Sequence, residues 1–265
     1  MNRTFSREFV FQLFALIIAV LLVHTVYVTV VWPNAEAVVA EQRAMMDKDP
    51  DYVAETSFYV VVKDYEQESC FVLLLWCLAI IAYKGNAAIA ERKLLEEVLV
   101  PIADGVRVLP EDTRDYARQI EALPESQRAL LLPRVLHHVL VRFGATRNIQ
   151  DVASSAHQMV SSEAERMDSE LSMVRYILWA IPAIGFIGTV RGIGLALNMA
   201  HRAVDGDVSG VTENLGTAFN STLIALLISI LLMFLVHQLQ LMQERLVFDA
   251  ESYADDRLIR HLHAS

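Results

Sequence analysis

Cysteine is scarce: Cys70 and Cys77 are the only two in 265 residues, so no disulfide framework holds the chain together. Positive charge is short as well. Lys and Arg number 22 against 32 Asp and Glu, and the net charge of −10 lacks the basic footprint of a nucleic-acid binder. No glycine-rich phosphate loop and no nucleophile–base arrangement occurs, which argues against an enzyme and against a bound cofactor. His137-His138 and the histidines of the tail have no ligand spacing and read as solvated helix surface, not as a metal site. What the sequence has in abundance is apolar residues, 54% of the total, in long runs without Asp or Glu. That composition points to an all-α membrane protein.

A bilayer core takes about 20 apolar residues as helix. Four segments fit: 9–32, ending at Pro33; 69–84, which is short and needs tilt or snorkelling flanks; 176–199; and 215–239. The first resembles a signal peptide, but its apolar stretch is too long for one and no small-x-small cleavage site follows, so it reads as a retained span. Trp32, Trp179 and Tyr83 are candidates for interface belts, whereas Trp76 lies too deep in its span for that role. Between the first two spans, residues 33–68 are acidic, with nine Asp/Glu (Asp64, Glu66 and Glu68 closing the series) against three bases. Residues 85–175 are rich in Lys and Arg, and Arg3, Arg7, Arg245, Arg257 and Arg260 mark the two ends. Positive-inside logic places 1–8, 85–175 and 240–265 in the cytoplasm and 33–68 and the 200–214 turn outside.

The cytoplasmic segments have helical patterning. Residues 87–100 continue the second span up to Pro101, and 111–122 and 125–143 form shorter helices separated by Pro124 and interrupted near Pro133. From Asn148, a fitting N-cap with Asp151 in the first turn, one unbroken helix is expected through Arg175 into the third span. Its apolar positions, among them Val152, Ala156 and Val160, need cover from the same chain or from copies of it.

The third and fourth spans are unusual. "AIPAIGFIGTVRGIGLALNMAHRAV", residues 180–204, carries a proline, glycines, a threonine and an arginine. Gly185, Gly188 and Gly192 recur at helical spacing, as do Ala218, Ser221 or Thr222, and Ala225 in the fourth span, so both helices present a smooth edge suited to close packing. Pro182 frees the carbonyl of Leu178 and introduces a kink that neighbours must satisfy. Thr189, Thr222, Ser221 and Asn220 add hydroxyl and amide groups to these two spans, while the four apolar cores hold no carboxylate able to relay a proton.

"IGFIGTVRGI" and "LGTAFNSTLIALLISIL" resemble the paired signature helices of the MotA/TolQ/ExbB proton-channel family. Gly185, Gly188, Thr189, Val190, Gly192 and Ile193 match the first element, and Ala218, Thr222 and Leu226 the second. The resemblance is good over about residues 150–240, and four spans with both ends inside are most similar to the flagellar stator branch. It implies long cytoplasmic helical extensions, a homo-pentameric ring in the bacterial inner membrane and a dimeric MotB/TolR/ExbD-like single-span partner. That partner supplies the titrating aspartate for protons or sodium ions and does rotary or force-transducing work against the ring. Thr189, Thr222, Ser221 and Asn220 are then expected to line the ion path, and Pro182, Gly185, Gly188, Gly192, Ala218 and Ala225 to shape and pack the helices. The alternative is a non-conducting membrane scaffold or receptor-like oligomer.

Two positions depart from the pattern, and His24 needs a reading of its own. Arg191 stands where relatives carry a bulky apolar residue; it either snorkels outward to Asp205, Asp207 or Glu213 or serves as a partner or gate contact. Thr217 replaces a frequent glutamate. His24, without an acid in its own span, is expected as a packed neutral side chain.

Overall fold

The computed structural model describes residues 2–46, 48, 49, 52, 55–103, 105–204 and 208–263, with side chains from residue 8 onward. Among the described residues there is no strand; Val108 and Leu262 form an isolated parallel bridge. The helices are α1 (Asn2–Val26), a π-turn (Tyr27–Val31), α2 (Trp32–Met46), α3 (Phe58–Val61), α4 (Tyr65–Leu95), α5 (Thr113–Glu121), α6 (Glu125–Arg128), α7 (Leu131–Thr146), α8 (Ile149–Ser169), α9 (Ser172–Asn198), α10 (Ala200–Val204) and α11 (Ser209–Arg257). Four helical stretches, Glu8–Met46, Tyr65–Leu95, Ile149–Asn198 and Ser209–His261, are long and apolar enough to cross a membrane. They contain the four segments picked out by hydropathy, apart from Met199 at the end of the third.

Two compact units divide the chain. The first comprises Met1–Ile81 and Met173–Val236, the second Ala82–Ser172 and His237–Ser265. In the first, Val23, Tyr27, Val31 and Val62 form a buried cluster backed by Trp32, Phe71, Val72 and Ile224. The Tyr27 hydroxyl donates to the Val62 carbonyl at 2.7 Å, and the Trp32 indole N–H donates to that of Lys63 at 2.9 Å. Both bonds tie the chain before α4 to the first helix. Cys70 and Cys77 are free and fully buried on one face of α4, where they act as small packing residues. Trp76 reaches into the same packing and donates to the Gln12 carbonyl at 2.9 Å, whereas Trp179 is 82% exposed. Large apolar side chains of α1, α9 and α11, such as Phe14, Leu21, Phe186, Ile187, Leu227 and Phe234, point away from the chain. That distribution suits surroundings of lipid or neighbouring subunits.

In the second unit the core is built on α7. Leu132, Val135, Leu136, Val139, Leu140 and Phe143 are at most 2% exposed and meet Val152, Ala156 and Val160 of α8 together with Ala250, Ala254 and Leu258. The apolar stripe of α8 is therefore covered by its own chain. At the fourth buried position of that stripe stands Glu163, 5% exposed and paired with Arg134 at 3.3 Å and with Arg166.

Several expected boundaries differ for identifiable reasons. The first helix does not stop at Pro33. The π-turn just before it widens the backbone, which relieves the clash of the proline ring with the preceding turn, and the Asn34 side-chain amide donates to the Val30 carbonyl at 2.6 Å. Pro133 does not interrupt a helix; it lies in the first turn of α7, where a missing N–H costs nothing. Instead of reaching residue 100, α4 ends at Leu95, because the Tyr253 hydroxyl takes the Leu99 N–H at 3.1 Å and donates to the Glu97 carbonyl at 3.1 Å. The long helix from Asn148 breaks at Glu170-Leu171. There the turn tightens through a Leu171 N–H to Asp168 carbonyl bond of 3.1 Å, and the Glu170 carboxylate is held by Lys84 at 2.5 Å. The 200–214 stretch contains α10, and α11 begins at Ser209, ahead of the expected span.

Candidate functional site

The seam between α9 and α11 is set by residue size. A Cβ placed at Gly185 would lie 2.5 Å from the Ala225 Cβ; one at Gly188 would lie 2.5 Å from the Ser221 Cβ; one at Gly192 would lie 2.7 Å from the Ala218 Cβ. Each of these approaches is closer than two carbons allow, so the backbones sit this near only because three successive contact positions lack a side chain. Ala196 continues the contact face at 3% exposure, and Ala218, Ser221 and Ala225 are at most 1% exposed. Pro182 lies inside α9 without ending it, and the adjacent Ile181 carbonyl receives the Cys70 thiol of α4 at 3.8 Å.

Along the edge of this seam run the hydroxyls. Thr189 and Thr222 are both half-buried and hydrogen-bonded to each other. The Thr189 hydroxyl also lies 3.1 Å from the Ala218 carbonyl, and that of Thr222 lies 3.1 Å from the Gly185 carbonyl. Each threonine thus bonds across the seam to the opposite helix, beyond the usual return to its own backbone. A hydroxyl can donate or accept by rotation, so this pair can reorganise around a neighbour that gains or loses a proton. Ser221 is placed differently from Thr222. It is buried against Gly188 and donates to the Thr217 carbonyl at 3.1 Å, so in this chain it faces no open route. Asn220 is half-buried on α11. The glycine and alanine stripe is therefore closed within one chain, with half-buried Thr189 and Thr222 at its edge.

Beside Gly188 the first turn of α4 closes in: the Cγ of Glu66 would be 3.2 Å from a Cβ at that glycine. Glu66 receives Arg191 through two parallel bonds, Nε to Oε1 at 2.7 Å and a terminal nitrogen to Oε2 at 2.8 Å, with Asp64 alongside at 3.6 Å. Of the outward partners expected for Arg191, only Glu213 lies within the described residues. Glu213 pairs instead with Arg43 at 3.6 Å, and Asp205 and Asp207 lie outside the described residues. Burial pushes the Asp64 carboxyl above its ordinary range, against the pull of Lys63 and Arg191, and its Oδ2 has no hydrogen-bond partner. His24 likewise has an acid from another helix: its Nδ1 lies 2.8 Å from Glu68 Oε1, and Trp32 packs edge-on against the ring. The His24 side chain is 57% exposed, not packed as the sequence led one to expect.

Glu66 and Glu68 were not singled out by spacing because they read as the end of an acidic loop. Their position one turn ahead of Cys70, on the approach to a span that is otherwise too short, is the signal that marks them as helical. Elsewhere, His137 meets Glu121 at 3.1 Å and His138 meets Ser155 at 2.7 Å. No group of three His, Cys, Asp or Glu side chains among the described residues is arranged to hold a metal ion.

Four long apolar helices, two of them joined by a small-residue seam with a polar edge, define a multi-pass helical membrane protein. Residues 128–252, from the end of α6 to within the last turns of α11, match the MotA/TolQ/ExbB proton channel family. The match encloses the whole seam. It leaves out α1 to α5, and with them Glu66 and His24. Neither a curated protein nor a solved structure matches the chain.

Proposed function

We propose that this protein is the channel-forming subunit of an inner-membrane complex driven by a proton or sodium gradient. In this reading five copies surround the single spans of a dimeric MotB/TolR/ExbD-like partner. The partner supplies the titrating aspartate, and its movement past the ring couples ion passage to mechanical work. Both termini and the 85–175 region lie in the cytoplasm, with the acidic 33–68 segment and the 200–214 turn outside.

The observation that carries the reading is the Thr189–Thr222 pair: two half-buried residues whose hydroxyls are joined across the seam, on the stretch that matches the family. The apolar cores of α9 and α11 carry no Asp or Glu, so a relay through this chain alone lacks its acid. Membrane-buried hydroxyls beside a carboxylate from another protein supply the missing complement: they accept from its protonated form and donate to its anion. Ser221 contributes to packing, and Asn220, two residues before Thr222 on α11, is half-buried on a different face of that helix.

The test is gradient-driven ion flux by the chain together with its candidate partner, the short single-span protein with one aspartate expected to be encoded beside it. Thr189→Val combined with Thr222→Val should lower flux by roughly 100-fold, since a lost hydrogen bond to a charged group at a rate-controlling step is worth about 1.5–3 kcal/mol. Thr→Ser at both sites should retain most of it. Unchanged flux in the valine double variant, with the assembly intact, would instead favour a scaffold without conduction.

A further inference from the structure

Arg191 sits in an apolar span, where an arginine is costly unless its charge is matched. Snorkelling alone would leave its head pointing to solvent and would make no use of guanidinium geometry. Here the fork is closed instead: Nε and a terminal nitrogen each take one oxygen of Glu66, and Asp64 stands at 3.6 Å. Glu66 and Asp64 are largely withdrawn from solvent, at 12% and 18% side-chain exposure, and a bidentate pair of this kind fixes orientation as well as distance. The same glutamate presses its stem over Gly188, whose other neighbour is the buried Ser221 of α11. Three helices therefore converge on one residue without a side chain, immediately before Thr189 in sequence.

We infer that Arg191 is a positioning residue for the ion route: by closing on Glu66 it clamps the first turn of α4 over Gly188 and so sets the alignment of the Thr189–Thr222 pair. The inference rests on the reading of that pair as the ion-path element. Arg191 touches neither the ion nor the partner's acid in this account; it acts through Glu66 and the backbone of α9. Lysine cannot replace it, because an ammonium group offers a point charge without the fork.

The test uses the full-length chain with its candidate single-span partner in lipid vesicles. Ion entry under an imposed proton or sodium gradient is read with pH- and sodium-sensitive dyes at equal amounts of assembled protein, and thermal melting is followed on the same samples. Arg191→Glu and Glu66→Arg should each reduce flux roughly tenfold or more, the double reversal should recover most of it, and Arg191→Lys should remain low. If the reversed pair does not assemble, Arg191→Lys decides alone: low flux with unchanged melting supports the clamp. A double reversal that assembles but conducts no better than the single variants, or an Arg191→Lys variant that conducts like wild type, overturns the inference and leaves the ion-path reading standing. Absence of flux in the wild-type complex, or full flux in Thr189→Val/Thr222→Val, overturns the ion-path reading itself. In that case coupling between Arg191 and Glu66 confined to melting makes the contact purely structural.

Discussion

An added methyl group at Gly185 would meet the Cβ of Ala225 at 2.5 Å, and this single distance makes the seam testable at the level of one atom. Gly185→Ala should destabilise the chain by about 1–3 kcal/mol through overpacking, and Ala225→Gly should restore part of the loss when combined with it, the backbone of Ser221 and Thr222 remaining at 3.2 and 3.3 Å. Melting of the four proteins in detergent checks this; independent, additive effects would mean that the two helices do not touch there. Glycine spacing marked Gly185 as a close-packing position, because small residues at helical intervals in a span have few other uses, without naming what it meets. The partner of Arg191 was not legible. Glu66 lies 125 residues away, and the acids closest in sequence to Arg191 were the natural expectation. The same holds for His24, whose acid comes from the start of α4. Charge partners in a helical bundle are chosen by helix adjacency, which hydropathy does not report.

At the scale of elements, caps and breaks decided where the sequence could be read correctly. Asn148 caps α8 as expected, its side-chain oxygen receiving the Asp151 N–H at 3.1 Å. Asn148→Ala should cost about 1 kcal/mol, seen as faster amide exchange in the first turn of α8. Arg142 grips the carboxylate of the same Asp151 at 2.8 and 2.9 Å and, mainly through that hydrogen bond, holds it below its usual value. The folded-state value is depressed, so this contribution is present above the ordinary aspartate range of about 3.9 and is lost as pH falls through the lower, folded value. Protection of the α7–α8 join should decline over that acidic window, and Asp151→Asn should flatten the decline. Pro33 misled because proline usually ends a helix. The π-turn and the Asn34-to-Val30 bond let α1 and α2 run on, so Asn34→Ala should loosen amide protection from Val30 onward and leave α4 unaffected.

For the molecule as a whole, class and span number followed from apolar runs alone, since a bilayer demands a minimum helix length. The covering of the α8 stripe did not follow, because periodicity says that a face is buried but not by what. Nor did the closure of the glycine stripe within one chain: the same small-residue pattern serves contacts inside a subunit and between subunits. That closure narrows the proposed partner contact from a whole face to the Thr189–Thr222 edge. The most direct measurement is therefore an imaged complex of this protein with the proposed single-span partner, resolved well enough to place side chains. The account predicts a ring whose central helix presents its aspartate to the Thr189–Thr222 edges of the surrounding copies. A ring in which those edges meet lipid, or a neighbouring copy with no helix at the centre, would contradict it.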